Sequence, residues 1–267
     1  MLKSTSQKIL FQIITSFSLV LSAEVSNLCT GKQKLLTLIN RPTFSSSPCT
    51  VPTKNLLVEQ GVQFQKLIGI GNQIIGPNLA LRTGINNNTE VQVLPPTYYH
   101  GLAGSYSGYS PVWISLKKQL YQKTDALFSL EMFYSPPSGS YYAGSVGHEA
   151  EVDAIFFRTL TKKVSIQIQP SVSSWCDPAS SGGGSYFSFN SVVLVNYNIT
   201  KQLVSYIELQ GETKTSYFKG SGLINGIGLI YLIRPTVTVD IEYYHRVFGQ
   251  LNGSQDFIGM GFTKLLN

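Results

Sequence analysis

The chain has 267 residues, of which 43% are hydrophobic and only 13% are charged, and its formal net charge is +6. Sparse charge with 24 glycines, 15 tyrosines and 14 phenylalanines argues against a disordered or helical chain and suits a protein with one apolar face and many turns. The basic excess is modest and no Lys/Arg run is interleaved with aromatic residues, so we expect no nucleic-acid partner.

The N-terminus has the pattern of an export signal. Lys3 and Lys8 supply a positive region, and residues 9–21 are apolar apart from a few polar breaks. Small residues precede a cleavage point at Ala23/Glu24. An uncleaved anchor is the alternative, but a spanning helix needs about 20 apolar residues and this run is shorter. The sequence therefore predicts a signal peptide over residues 1–23.

Residues 24–54 show no sustained period and contain two of the three cysteines. In an oxidising compartment Cys29 and Cys49 are candidates for a disulfide, and closing a loop of about 20 residues is worth about 3 kcal/mol. Cys176 would then be the odd cysteine. We predict a periplasmic pre-barrel segment here, either a partial plug of the barrel mouth or a plain linker. No Cys/His spacing resembles a metal site, and no cofactor is predicted.

Residues 55–267 alternate apolar and polar side chains with the period of a β-strand. In residues 164–172, for example, Val164, Ile166 and Ile168 alternate with serine and glutamine. Strand-length segments lie at residues 56–65, 78–85, 89–94, 112–120, 126–134, 150–156, 164–172, 187–199, 203–210, 222–233, 237–242 and 257–266.

The connections between these segments alternate between short and long. The five short ones centre on Asn86-Asn87-Asn88, Gln122-Lys123-Thr124, Thr161-Lys162-Lys163, Thr200-Lys201-Gln202 and Arg234-Pro235-Thr236. An even strand count with short turns at one end and long loops at the other predicts an all-β fold, an antiparallel up-and-down transmembrane β-barrel of 12 strands. Both termini would lie in the periplasm of a bacterium with an outer membrane.

Charge placement separates this barrel from a soluble β-sandwich, the other fold that gives such alternation. By strand parity, 11 of the 14 acids face inward, including Asp125 and Glu212, while most bases gather near the short turns. A sandwich has no reason to sort charge by sign. The predicted pore-lining residues are Glu59, Arg82, Glu90, Lys117, Glu131, Glu149, Glu151, Asp153, Glu208, Asp240, Glu242 and Arg246.

Aromatic and glycine positions add two expectations. Aromatic residues near the long-loop ends would form one interfacial belt, and those near the short turns a second. The first belt comprises Trp113, Tyr134, Trp175, Tyr186, Phe187 and Tyr243. Inward glycines would leave space for a passage, allow packing against the N-terminal segment, or ease barrel curvature. These glycines are Gly61, Gly84, Gly226, Gly228, Gly259 and Gly261.

Several short blocks resemble a family of bacterial outer-membrane proteins named after the MetA pathway of phenol degradation. They include Asn40-Arg41-Pro42-Thr43, Ser47-Pro48-Cys49-Thr50-Val51-Pro52, Glu59-Gln60-Gly61-Val62-Gln63 and Ile258-Gly259-Met260-Gly261-Phe262. The resemblance covers roughly residue 41 to the end. It implies an outer-membrane transporter for small organic, including aromatic, compounds.

Three functions fit these observations. The leading hypothesis is a narrow channel for small cationic or neutral molecules, including aromatic or hydrophobic ones, because an acidic lining repels anions. The second is a surface barrel without transport, whose loop tyrosines bind a partner. The third, an outer-membrane lipid hydrolase, would use His148 or His245. Outer-membrane lipid, lipopolysaccharide and a small-molecule solute are the expected partners, and we predict no enzymatic activity.

Overall fold

The computed structural model describes residues 28–29, 34–69, 71–102 and 106–266, without the side chain of residue 252. The predicted signal peptide lies outside the described residues. No helix in the described part of the chain is long and apolar enough to cross a membrane.

One antiparallel sheet contains all the named strands and closes on itself, because β1 pairs with both β2 and β14. The strands are β1 (Leu56–Leu67), β2 (Gly71–Asn86), β3 (Thr89–Leu94), β4 (Tyr98–Leu102), β5 (Gly108–Tyr109), β6 (Trp113–Gln122), β7 (Ala126–Ser135), β8 (Glu149–Thr159), β9 (Val164–Cys176), β10 (Ser185–Asn198), β11 (Leu203–Glu212), β12 (Gly222–Arg234), β13 (Val237–Phe248) and β14 (Ser254–Leu266). β3 and β4 pair with successive parts of β2, and β4 and β5 form a small hairpin above β6. The barrel therefore has 12 strands around its wall, which confirms the predicted fold.

The five short turns lie where the sequence predicts them, but the first long loop does not exist. β2 begins at Gly71, so three residues, 68–70, join it to β1. Gly76-Pro77 interrupts the alternation within β2, and proline has no N–H for the ladder. The register shifts opposite this pair, between Gly61 and Gln63 of β1. This bulge hides the first half of β2 from a search for period two.

The outer face of the barrel is apolar and exposed. Along β14, Ile258, Met260 and Phe262 are exposed, and their neighbours on other strands repeat the pattern. Exposed outward residues on the other strands include Val62, Leu116, Met132, Val152, Ile168, Val172, Ile207, Leu209, Ile227, Leu229 and Ile241. A closed sheet with such a face is the arrangement of a barrel whose outside meets lipid.

Residues 34–54, which we call the inner segment, lie inside the barrel at its short-turn end. The segment starts with a single helical turn, α1 (Lys34–Leu38), and continues as irregular chain. Leu35, Leu38 and Val51 are fully buried and belong to one cluster with inward-facing residues such as Leu57 and Leu265. The expectation that the inward face is polar is therefore wrong at this end, because apolar wall residues pack against the inner segment.

Candidate functional site: a partly filled lumen

Inward carboxylates hold the main chain of the inner segment. Glu59 accepts hydrogen bonds from the backbone N–H groups of Asn40, at 3.0 Å, and Arg41, at 2.9 Å. Glu208 accepts bonds from the N–H groups of Phe44, at 3.0 Å, and Ser45, at 3.2 Å. Hydrogen bonds to a charged acceptor are about twice as strong as neutral ones, so each carboxylate anchors two consecutive residues.

A buried charge network joins five barrel strands, β1, β2, β3, β6 and β7, beside the inner segment. Arg82 bonds Glu59 and Glu90, each at 2.7 Å, and also donates to the carbonyl of Leu38. Lys117 lies between Glu90, at 3.4 Å, and Glu131, at 3.2 Å. Arg82, Glu90, Lys117 and Glu131 are fully buried, so each charge depends on its partner to offset lost hydration. Glu90 also accepts the N–H of Val51 at 2.6 Å.

Arg41 crosses from the inner segment to the opposite wall. Its guanidinium lies 3.2 Å from Asp240 and 3.7 Å from Glu242. Burial lowers the pKa of Arg41, but attraction to Asp240 and Glu242 outweighs burial, so the pKa is raised and the side chain stays charged. The side chain rests on Gly61 and Gly261, where an added Cβ would come within 2.2 Å and 2.5 Å of it.

The inward glycines thus make room for packing rather than for a passage. A Cβ at Gly84 would meet the carbonyl of Val51 at 2.0 Å, and Gly226 and Gly228 take the rings of Tyr244 and Tyr206. Of the three readings that the sequence leaves open, the contacts favour close packing, partly against the inner segment.

The other side of the lumen carries acids without cationic partners. Glu151 accepts from Ser171 at 2.9 Å, and Asp153 accepts from Gln169 at 2.8 Å. No ion pair of the described residues involves Glu149, Glu151, Asp153, Asp177 or Glu212, which we call the uncompensated acids. They lie on or beside strands β8, β9 and β11.

Two cavities continue the lumen beyond the acids. A cavity of about 220 Å³ separates the inner segment from the wall, bordered by Ser46, Gln167 and Leu194. At the long-loop end a cavity of about 840 Å³, which we call the vestibule, is lined by uncompensated acids and aromatic side chains. The two cavities share no bordering residue and lie toward the two ends of the lumen.

Three residues predicted for an aromatic belt instead face this interior. Trp113 shares a face with Ser115 and Lys117, and its ring lies 5.2 Å from that of Trp175 on a strand that is not its neighbour. Trp175 and Tyr186 both line the vestibule. The belt prediction is therefore wrong for these three residues, because it rested on their position near the barrel end and not on the face that their strand parity gives. Tyr134, Phe187 and Tyr243 do face outward.

The remaining predicted site residues lie as follows. Glu149 is buried at the vestibule, where it accepts the N–H of Cys176 at 3.0 Å. Arg246 is half-buried near the rim and donates to the carbonyl of Gly249 at 3.1 Å. Asp125, predicted to face inward, is exposed in a turn beside Arg158, since the strand begins one residue later. All twelve predicted pore-lining residues occupy the inward face, but at least seven contact one another or the inner segment.

The cysteines and histidines have defined partners. Cys29 and Cys49 form a disulfide across 20 residues, and Cys176 is a buried free thiol. His148 contacts the Tyr134 hydroxyl at 2.7 Å, and His245 contacts Asp256 at 2.6 Å, both on the exposed face. No described serine hydrogen-bonds either histidine, and no group of three or more His, Cys, Asp or Glu in the described ranges could hold a metal ion.

Sequence reasoning missed the role of Arg41. Arg41 lies in a segment without a periodic pattern, so strand parity cannot assign its side chain to the inward or the outward face. Gly61 and Gly261 gave the available signal, because directly paired glycines on the first and last strands leave a gap that a neighbouring large side chain can fill.

Solved outer-membrane proteins have similar folds. An outer membrane channel from Pseudomonas putida F1 gives a TM-score of 0.61 at 10% identity, over 84% of this chain and 100% of its own. The NanC porin gives 0.56 at 14% identity, over 78% and 98%. The KdgM porin in complex with disordered oligogalacturonate gives 0.55 at 10% identity, over 79% and 99%. A comparison with curated proteins finds no match.

A protein-family model covers most of the chain. It matches residues 39–252, from within the inner segment to the loop before β14. The match includes the block around Arg41 and Glu59, whose contacts hold the inner segment inside the lumen. The chain therefore belongs to the family described as Putative MetA-pathway of phenol degradation.

Proposed function

We propose that this protein is a narrow outer-membrane channel for small molecules. The observation that carries the proposal is a closed barrel whose outer face is apolar and exposed and whose lumen is polar but only partly filled. The similar folds of a channel and two porins support it. The long-loop end would face the outside, and both termini would lie in the periplasm, as in other barrels of this class.

The inner segment makes the conduit narrow. It occupies the lumen at the short-turn end and leaves beside it a cavity of about 220 Å³, bordered by Ser46, Gln167 and Leu194. Solutes would enter the vestibule, pass Glu151 and Asp153, and leave beside the inner segment. An acidic route repels anions, so small cationic or neutral molecules, including aromatic or hydrophobic ones, are the expected solutes.

Conductance of the purified protein in planar bilayers tests this proposal. We expect small unitary currents that prefer cations, because Glu151 and Asp153 have no cationic partner. The double variant E151Q/D153N should lower the cation preference, whereas D125N, which removes one charge at the opposite rim, should not. A protein that conducts no ions, or that prefers anions, would contradict the channel proposal.

The same proposal includes three further points. These are the pore-lining roles, the division of the chain into residues 1–23, 24–54 and 55–267, and the outer-membrane lipid and lipopolysaccharide partners. The uncompensated acids support the pore lining, and the contacts of the inner segment support its separation from the barrel. The number of subunits is left open.

The loop tyrosines bear on the alternative of a surface barrel without transport. Tyr106 stacks on Tyr142 at 4.4 Å, and Tyr98 contacts Tyr109 at 4.8 Å. Because these rings are paired and Tyr106 and Tyr142 border the vestibule, they serve the entrance more directly than an outside partner. If deletion of the loop that carries Tyr98, Tyr106 and Tyr109 abolished binding of a surface partner and left permeability intact, the alternative would be favoured.

We propose no enzymatic activity. His148 and His245 lie on the exposed outer face, away from the lumen, and each contacts a tyrosine or an aspartate rather than a nucleophile. Lipid hydrolysis by the purified protein that disappears in H148A or H245A would contradict this view.

A further inference from the structure

The vestibule has the size and lining of a small-molecule site. Its volume of about 840 Å³ lies within the range of ligand pockets. Aromatic rings form much of its wall, namely Tyr99, Tyr106, Tyr141, Tyr142, Trp175, Tyr186 and Phe218. Aromatic side chains are typical of the walls of small-molecule sites.

Carboxylates line the same cavity. Glu149, Asp177 and Glu212 border it, and among the described residues Lys219 is the one base that does so. Asp177 accepts from the hydroxyl of Ser216, at 2.7 Å, and from the N–H of Tyr217, at 3.0 Å. No hydrogen bond or ion pair among the described residues involves the side chain of Glu212. The vestibule therefore has an excess of negative charge.

Below the vestibule, the side chains of Asn190 and Asp153 each have an acceptor oxygen that no described donor contacts. Asn190, directly opposite Glu212 in the β10–β11 ladder, uses its amide N–H₂ on Ser173 at 3.0 Å and Glu151 at 3.5 Å. Its Oδ1 and the Oδ1 of Asp153 are buried and accept no hydrogen bond from the described residues. Asn190 is 8% exposed and Asp153 2%. These acceptors, close to Glu151, favour a ligand that brings hydrogen-bond donors.

An ammonium group already contacts one ring of the aromatic wall, Tyr186, together with Tyr217 beside it. Lys214 places its Nζ 5.8 Å from the ring centroid of Tyr186 and 5.0 Å from that of Tyr217. Both distances are typical of a cation over an aromatic face. The wall can thus hold a positive charge as well as an apolar body.

We propose that the vestibule binds organic ammonium cations with an aromatic or alkyl body. The ammonium head, with three N–H donors, would lie between Glu212, Glu151 and the free oxygen of Asn190. The apolar body would lie against Trp175 and Tyr186. This inference rests on the proposed channel and names its solute class, since the same acids repel anionic solutes of equal size.

Three probes of matched size test the inference. Phenethylammonium, phenethyl alcohol and phenylacetate carry positive, zero and negative charge at about pH 7. Binding is followed by tryptophan fluorescence of the full chain in detergent, because Trp113 and Trp175 are the only two tryptophans and contact each other at the vestibule. We expect phenethylammonium to bind about tenfold more tightly than the alcohol, and phenylacetate not to bind.

Two isosteric variants identify the head-group site. E212Q and E151Q should each weaken phenethylammonium binding about tenfold and leave the alcohol unchanged, since a charge-assisted bond becomes a neutral one. D125N is the matched control at the opposite rim. Equal affinities for the ammonium and the alcohol, or an equal effect of D125N, would overturn the inference. Heat-modifiable gel mobility reports whether each variant is folded, and a salt titration of the native chain gives a second readout.

The channel proposal and this inference fail in different ways. If the protein conducts cations preferentially but does not bind phenethylammonium, the vestibule inference is wrong and the channel proposal stands. Ammonium binding without conductance supports the vestibule site and contradicts the channel.

Discussion

The two sides of the lumen carry the same kind of residue in different electrostatic settings. Around the inner segment, Glu59, Glu90 and Asp240 meet Arg82, Lys117, Arg41 or backbone N–H groups. On β8, next to the network residue Glu131, Glu151 and Asp153 contact each other and neutral serine, glutamine and asparagine side chains, with no cationic partner. Facing inward is therefore not enough for a carboxylate to contribute to ion conduction. Its role depends on whether a cationic side chain or the inner segment already binds it.

Replacing Arg82 tests the first side and should have the largest effect. R82M leaves Glu59 and Glu90 buried without their main partner, and removing one member of a buried pair costs about 3–5 kcal/mol. We expect the free energy of unfolding in urea, followed by gel mobility, to fall by about that amount. R158M is the control, since the Arg158–Asp125 pair is exposed and such pairs contribute about 0–1 kcal/mol. Equal losses in the two variants would contradict a structural role for the network.

A methyl group at Gly61 should displace Arg41. A Cβ there lies 2.2 Å from the guanidinium carbon, so G61A forces the side chain away from Asp240. We expect a loss of about 1–3 kcal/mol in unfolding free energy, as for other overpacked sites, together with higher conductance because the inner segment loses one anchor. G220A is the matched control, since nothing lies within 4 Å of a Cβ at Gly220. An unchanged conductance in G61A would show that Arg41 does not restrict the lumen.

Neutralising Glu208 and neutralising Glu151 should change different properties of the channel. E208Q weakens two bonds to the inner segment and one from the Tyr244 hydroxyl, worth about 1–2 kcal/mol in total. The looser segment should raise conductance with little loss of cation preference, whereas E151Q should lower cation preference. Both are measured as unitary current and reversal potential in planar bilayers. The same response from both variants would mean that the two sides of the lumen act alike.

The sequence predicted the barrel because alternation and turn residues are local signals. Eleven of the twelve wall strands and every short turn follow from such patterns, and the first half of β2 was missed because Gly76-Pro77 breaks the alternation. Strand parity also placed Glu59, Arg82 and Glu151 on the inward face. Parity cannot show which inward residues meet the inner segment, since that segment has no period and its contacts join residues up to 202 positions apart.

The hydrogen bonds that hold the inner segment come mostly from its main chain. The N–H groups of residues 40, 41, 44, 45, 46 and 51 are bound by wall side chains. A backbone N–H is present whatever the side chain, except in proline. Related proteins can therefore change the side chains of this segment, and with them the width and polarity of the passage, without losing the attachment of the segment to the wall. Side chains of this segment that border the cavity, such as Ser46, can in this way change solute preference at little cost to barrel stability, whereas Arg41, Leu35, Leu38 and Val51 contact the wall and cannot.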